Sequence, residues 1–238
     1  GSILSRSSEN ATSGFSIVRW TGNGTGGATI GHGLGAIPHL MIVKKRSGAD
    51  NFAVYHHKMA SDPETDYINL DGNGAKTDSV DRWNDTAPTS TVASLGDAGA
   101  VNGSSATYVG YFFTSIKGYS KFGNYNGNNN ADGTFVYTGF KPAFIILKDT
   151  ERTQDWRAYD ARRPGFNSLT SYANRTNNSI KVNDTTVEQT NNQLDILSNG
   201  FKFRSNDGDS NGYNENHIYW AFAEHPFVSS NNVVATAR

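Results

Sequence analysis

Gly139-Phe140-Lys141-Pro142-Ala143-Phe144-Ile145-Ile146-Leu147-Lys148 has an echo in Gly35-Ala36-Ile37-Pro38-His39-Leu40-Met41-Ile42-Val43-Lys44, each aligned position lying 104 residues earlier. In both stretches a proline opens a continuous apolar run and a lysine closes it. An apolar run of four to eight residues bounded in this way predicts a strand buried on both faces. Proline fixes its own φ and holds the preceding residue extended, so no helix runs through. One unit is written twice.

Working outward, Asn51-Phe52-Ala53-Val54-Tyr55 and Asp155-Trp156-Arg157-Ala158-Tyr159 match at the same offset of 104. Upstream, Gly14-Phe15-Ser16-Ile17-Val18-Arg19-Trp20 corresponds to Gly118-Tyr119-Ser120-Lys121-Phe122-Gly123-Asn124-Tyr125, with Trp20 against Tyr125 at 105. Downstream, Val92-Ala93-Ser94-Leu95 matches Gly200-Phe201-Lys202-Phe203, and the closing aromatic strands place Phe113 against Phe222 at 109. The copies disagree between Ala60 and Ser90 and between Pro164 and Leu194, which is where loops and function are expected.

Short β-branched and aromatic runs are separated by Gly, Asn, Asp and Ser clusters, and no apolar stripe of helical period spans three turns. The pattern predicts an all-β chain of two tandem, internally duplicated β-sandwich units, jelly-roll or lectin-like, with about seven strands each. Any helix should be a turn or two in the divergent middles. The expected boundaries are a linker over 1–13 that begins with a Gly-Ser expression scar, a first unit over 14–117, a second over 118–227, and a C-terminal tail over 228–238.

The 238 residues carry a formal net charge of -1, which supplies no electrostatic footprint for nucleic acid. No apolar run approaches the ~20 residues of a membrane helix, so membrane insertion is not expected. The absence of cysteine rules out disulfides and thiolate metal sites.

Candidate chemistry is sparse. Glycoside hydrolysis needs two carboxylates, one with its pKa raised by burial. Only Asp160 and Glu224 read as acids at strand ends, and neither has a partner identifiable by spacing. Asn206-Asp207-Gly208-Asp209-Ser210-Asn211 has the hard oxygen donors calcium takes but lacks the ligand alternation of an EF-hand, and so reads as a turn. No histidine pair has i, i+4 metal spacing, no Gly-x-Ser-x-Gly elbow is present, and Gly22 to Gly27 lacks the helix of a phosphate cradle. No catalytic residue, metal or cofactor is therefore assigned. The ligand-binding candidates are Arg82, Trp83, Asn84 and Asp85, an aromatic face among polar side chains of the kind that suits a sugar ring.

The segments Gly14 to Val18, Trp20-Thr21-Gly22-Asn23-Gly24, Gly31-His32-Gly33-Leu34-Gly35, Trp83-Asn84-Asp85-Thr86-Ala87-Pro88-Thr89, Phe135-Val136-Tyr137-Thr138-Gly139-Phe140 and Leu197-Ser198-Asn199-Gly200-Phe201 together resemble a domain found in tail fibres and other tail-associated structural proteins of tailed bacteriophages. The resemblance runs from Gly14 to Phe227, with one departure: Phe113-Thr114-Ser115 stands where the second copy has the usual Phe222-Ala223-Glu224. It implies a virion location and a receptor-binding role toward a host cell-surface polysaccharide or other receptor, without catalysis. Other tail proteins are the implied partners and a homotrimer the implied assembly. The rival readings are a structural or assembly module of the tail and, less favoured, a polysaccharide depolymerase.

Overall fold

A computed structural model describes residues 1–162, 175–176, 178–190, 194–226 and 228. The chain divides into two compact units, Gly1–Ser115 and Ile116–Arg238. The break lies two residues before the expected one.

The first unit runs β1 (Ser5–Asn10), β2 (Phe15–Thr21), β3 (Ala28–Gly31), β4 (Leu40–Lys45), β5 (Ala53–His56), β6 (Asp66–Asn69), β7 (Thr77–Asp78), α1 (Val80–Trp83), β8 (Val92–Leu95) and β9 (Thr107–Phe113). A seven-stranded antiparallel sheet in the order β1-β2-β9-β4-β5-β6-β7 faces the β3-β8 ribbon. Period-2 alternation sends Val18, Trp20, Met41, Val43, Tyr55, Tyr108 and Phe112 into the core between them, where they meet Ile30, Ala93 and Leu95 of the ribbon. All four apolar residues of β4 are buried, as an apolar run closed by lysine predicts.

The second unit runs β10 (Ser120–Asn126), β11 (Phe135–Tyr137), β12 (Pro142–Asp149), β13 (Arg157–Asp160), β14 (Arg175–Thr176), β15 (Ile180–Lys181), β16 (Leu194–Leu197), β17 (Gly200–Phe203), α2 (Gly208–Asn211) and β18 (Asn216–Ala223). Here the sheets are β10-β18-β12-β13-β15 and β11-β17-β16-β14. Tyr125, Ile145, Leu147, Tyr159 and Tyr219 of the first interleave with Val136, Leu194, Ile196, Phe201 and Phe203 of the second. Pro142 occupies the first position of β12, where a missing N–H costs no central ladder bond.

Three expectations need correction. Residues 1–13 are not a linker: β1 pairs along its whole length with β2, from Ser5↔Trp20 to Asn10↔Phe15, and Ile3 is buried in the core. A polar strand was invisible to a hydrophobicity pattern because β1 is an edge and five of its six residues are exposed. Each unit has nine strands among the described residues rather than about seven, the surplus being short edge pieces. The second helical turn, α2, lies after β17 and not in the divergent middle. Of that middle, 163–174 lies outside the described residues.

The two units share register. Leu40↔Phe113 has its counterpart in Phe144↔Phe222, Leu40↔His56 in Phe144↔Asp160, and Trp20↔Tyr108 in Tyr125↔His217, all at the sequence offsets of 104, 105 and 109.

Candidate functional site

The predicted ligand residues lie at and just after α1, and the structure separates them. Trp83 is 1% exposed, which removes it as a stacking platform for a sugar. Its indole Nε1 donates to the Asp66 carbonyl at 3.0 Å and its ring meets Tyr55 edge-on at 6.1 Å. An apolar ring with one donor to satisfy goes to the core when a carbonyl is within reach. Arg82 lays its guanidinium over the Tyr67 ring at 4.2 Å. Asn84 takes a left-handed conformation (φ 56°) as the helix C-cap, its N–H bonding the Val80 carbonyl, and Asp85 follows at φ 43° on the exposed side. Trp83 thus belongs to the core, while Arg82, Asn84 and Asp85 keep solvent access around it.

The densest chemistry is in the second unit, around α2. Asp149 Oδ2 lies 4.0 Å from His217 Nε2, both side chains fully buried, and the His217 ring stacks on Tyr125 at 4.9 Å. Burial holds the His217 imidazole below its ordinary pKa, with Asp149 opposing. Lys148 is buried too, donating to the carbonyls of Asp149 and Arg152, and burial pulls its amine down to about 8. Arg157 grips Asp209 through Nε at 2.7 Å and through Nη2. A reacting group must be reachable, whereas Lys148, Asp149, Ser210 and His217 are all 0% exposed. Neighbouring bonds seat α2: Tyr125 Oη donates to the Ser210 carbonyl at 2.7 Å, and Arg157 ties α2 to β13 through Asp209.

The two strand-end acids and the Asn/Asp turn are likewise occupied. Glu224 is paired with Lys141 at 2.8 Å and with Arg162 at 3.3 Å, and the Lys141 hydrogen bond holds its carboxyl below the ordinary range. A general acid needs the opposite shift. In the turn, Asp207 caps α2 by accepting from the Asp209 N–H, and Asn211 Nδ2 is shared among Asn128 Oδ1, the Asn130 carbonyl and the Ser205 carbonyl. Among the described residues no three His, Asp or Glu side chains are grouped to hold a metal ion.

An open site does exist in the first unit, on the face of β1, β2 and β9 turned away from the core. A cleft of about 280 Å³ is lined by Leu4, Arg6, Arg19, Thr21, Arg46 and Thr107, with Trp20 beneath. Arg6 and Arg19 are directly opposed across the β1–β2 ladder, and Arg46 sits where its N–H bonds the Thr107 carbonyl at 2.7 Å. All three arginines are exposed, and among the described residues no carboxylate pairs with any of them. By contrast, the neighbouring Lys44 and Lys45 are both held by Asp50.

Sequence reading missed this site for two reasons. A net charge of -1 averages over the whole chain and hides three arginines that topology brings together from residues 6, 19 and 46. Arg6 also stood in a segment read as a linker. The alternation of Ile17, Arg19 and Thr21 with buried Val18 and Trp20 was the one legible signal, since it turns Arg19 outward.

The fold and site define an all-β, two-unit protein with an open basic cleft on one sheet of the first unit and a buried ionisable cluster around α2 in the second. The chain belongs to the family described as Domain of unknown function (DUF7483), whose model matches residues 1–226. No curated protein and no solved structure matches it.

Proposed function

We propose that this chain is a host-surface-binding region of a bacteriophage tail fibre that recognises envelope glycans without catalysis. The observation that carries the reading is the similarity, spread over many separate segments from Gly14 to Phe227, to a domain of phage tail proteins. The site geometry supports binding over turnover: the open cleft of the first unit offers cations and hydroxyls, while the ionisable cluster around α2 is sealed. A virion location, a homotrimer and contacts with other tail proteins belong to the same reading, by analogy with fibres.

The test is retention of the purified chain on cell envelopes from a panel of bacterial strains, with the supernatant analysed for released saccharides. Retention on a subset of strains with no release is expected. No retention on any strain would favour a tail assembly module, and time-dependent release would favour a depolymerase; either contradicts the proposal.

A further inference from the structure

Arg6 and Arg19 are cross-strand neighbours, so their side chains leave one face of the sheet about 5 Å apart at Cβ. Like charges directly opposed in a ladder destabilise it, yet among the described residues no acid relieves this pair. Arg46 adds a third guanidinium to the same cleft. The unit as a whole is acidic, with eight Lys and Arg against ten Asp and Glu over 1–115, so the concentration of cations is local.

The second unit shows that the scaffold does not need these charges. The positions matching Arg19, Arg46 and Thr107 are Asn124, Thr150 and Asn216. There Asn124 Nδ2 donates to Asn216 Oδ1 at 2.9 Å, and Asn216 Nδ2 donates to Thr150 Oγ1 at 3.2 Å. The equivalent place is thus neutral and closed by its own hydrogen bonds. In the first unit it is cationic and open.

We propose that the cleft of Arg6, Arg19 and Arg46 binds a carboxylate or phosphate carried on a saccharide chain, an inference that rests on the glycan-binding reading above. Planar guanidinium forks match both oxyanions bidentately. Thr21 and Thr107 supply hydroxyls for sugar oxygens beside the anion, and Leu4, 84% exposed, supplies an apolar edge for a ring face. Bound anion would neutralise the opposed pair, which gives the free cleft a reason to be unpaired.

The test uses the full chain titrated by calorimetry with tetragalacturonate, with inorganic phosphate, and with uncharged maltotetraose as control. Saturable binding of either anion, absent for maltotetraose, is expected. Arg19→Gln and Arg6→Gln should each weaken it by about tenfold or more. Arg6→Gln should leave the thermal midpoint unchanged or raise it at low salt, a direction that a purely structural arginine would not give. Tetragalacturonate binding with no response to phosphate assigns a carboxylate ligand, and the converse a phosphate ligand. No saturable binding of either anion overturns the proposal, as does binding unaltered in both variants. The same variants on the envelope panel separate the two readings: full retention of Arg6→Gln and Arg19→Gln on envelopes would remove the cleft while leaving surface binding intact, and failure of the unsubstituted chain on envelopes would remove surface binding.

Discussion

Asn102 and Asn211 make the same set of hydrogen bonds, one in each unit. Asn102 Nδ2 donates to Asn23 Oδ1, the Thr25 carbonyl and the Gly96 carbonyl; Asn211 Nδ2 donates to Asn128 Oδ1, the Asn130 carbonyl and the Ser205 carbonyl. Their Oδ1 atoms accept from the Asn23 and Asn128 N–H groups at 3.0 Å. Even the adjacent anchors agree: Trp20 Nε1 bonds the Val101 carbonyl and Tyr125 Oη the Ser210 carbonyl. Each asparagine is fully buried and pins the loop after β2 or β10 to the loop before the last strand.

Removing either amide strands several buried acceptors at once, and each orphan costs about 1–3 kcal/mol. Asn102→Leu and Asn211→Leu should each lower unfolding free energy by at least about 2 kcal/mol by urea denaturation, with Asn211→Leu acting on the second unit's transition.

Trp83→Ala should destabilise the first unit by about 3–5 kcal/mol, the cost of emptying a packed tryptophan site. Trp83→Phe should cost less, because the ring volume is largely kept and only the bond to the Asp66 carbonyl is lost. Denaturant midpoints of the two variants check the order. Envelope retention should be unchanged for Trp83→Phe, since the ring has no exposed face.

The Arg157–Asp209 pair is almost fully enclosed, with side chains 5% and 11% exposed. Arg157→Met leaves the Asp209 carboxylate buried without its cation and should cost about 3–5 kcal/mol. The double change Arg157→Met, Asp209→Leu should recover most of that loss, because two desolvated charges are replaced by apolar volume. A double-mutant cycle by chemical denaturation measures both.

Stability should depend on pH in three windows. Burial holds His32, His39 and His217 below the ordinary 6.5, so as pH falls through 6.5 the unfolded chain takes up protons that the folded chain refuses. Stability is therefore lost on acidification below that point. Lys148 is about 8 folded against 10.5 unfolded, so between those values the unfolded state again binds more protons and stability rises with pH. Above pH ~10 the buried Tyr55, Tyr125, Tyr159 and Tyr219, whose pKa values are raised by burial, reverse the trend. Urea midpoints from about pH 5 to about pH 11.5 should trace this curve, and Lys148→Met should flatten the rise above pH 8.

The fold was legible where burial leaves a periodic trace. The apolar run of β4, the β-branched and aromatic content of β2 and β9, and the proline that opens β12 each announced a strand. β1 left no such trace, because backbone pairing to an edge asks nothing of side chains in water. The candidate site was misread for a related reason. A tryptophan among Arg, Asn and Asp looks exposed in sequence, but only three-dimensional packing reveals that Asp66 offers a buried carbonyl to its indole. The cleft was unreadable for a third reason: Arg6, Arg19 and Arg46 come from three separate strand or loop positions, and only strand order brings them together.

The most direct test of the central claim is adsorption competition. Purified chain in excess is added to cells of a strain that retains it, before a tailed phage that infects that strain and encodes the chain, and the fraction of particles adsorbed is counted. Host-surface binding predicts that adsorption falls in proportion to the chain retained on the cells. Undiminished adsorption at saturating chain would contradict it.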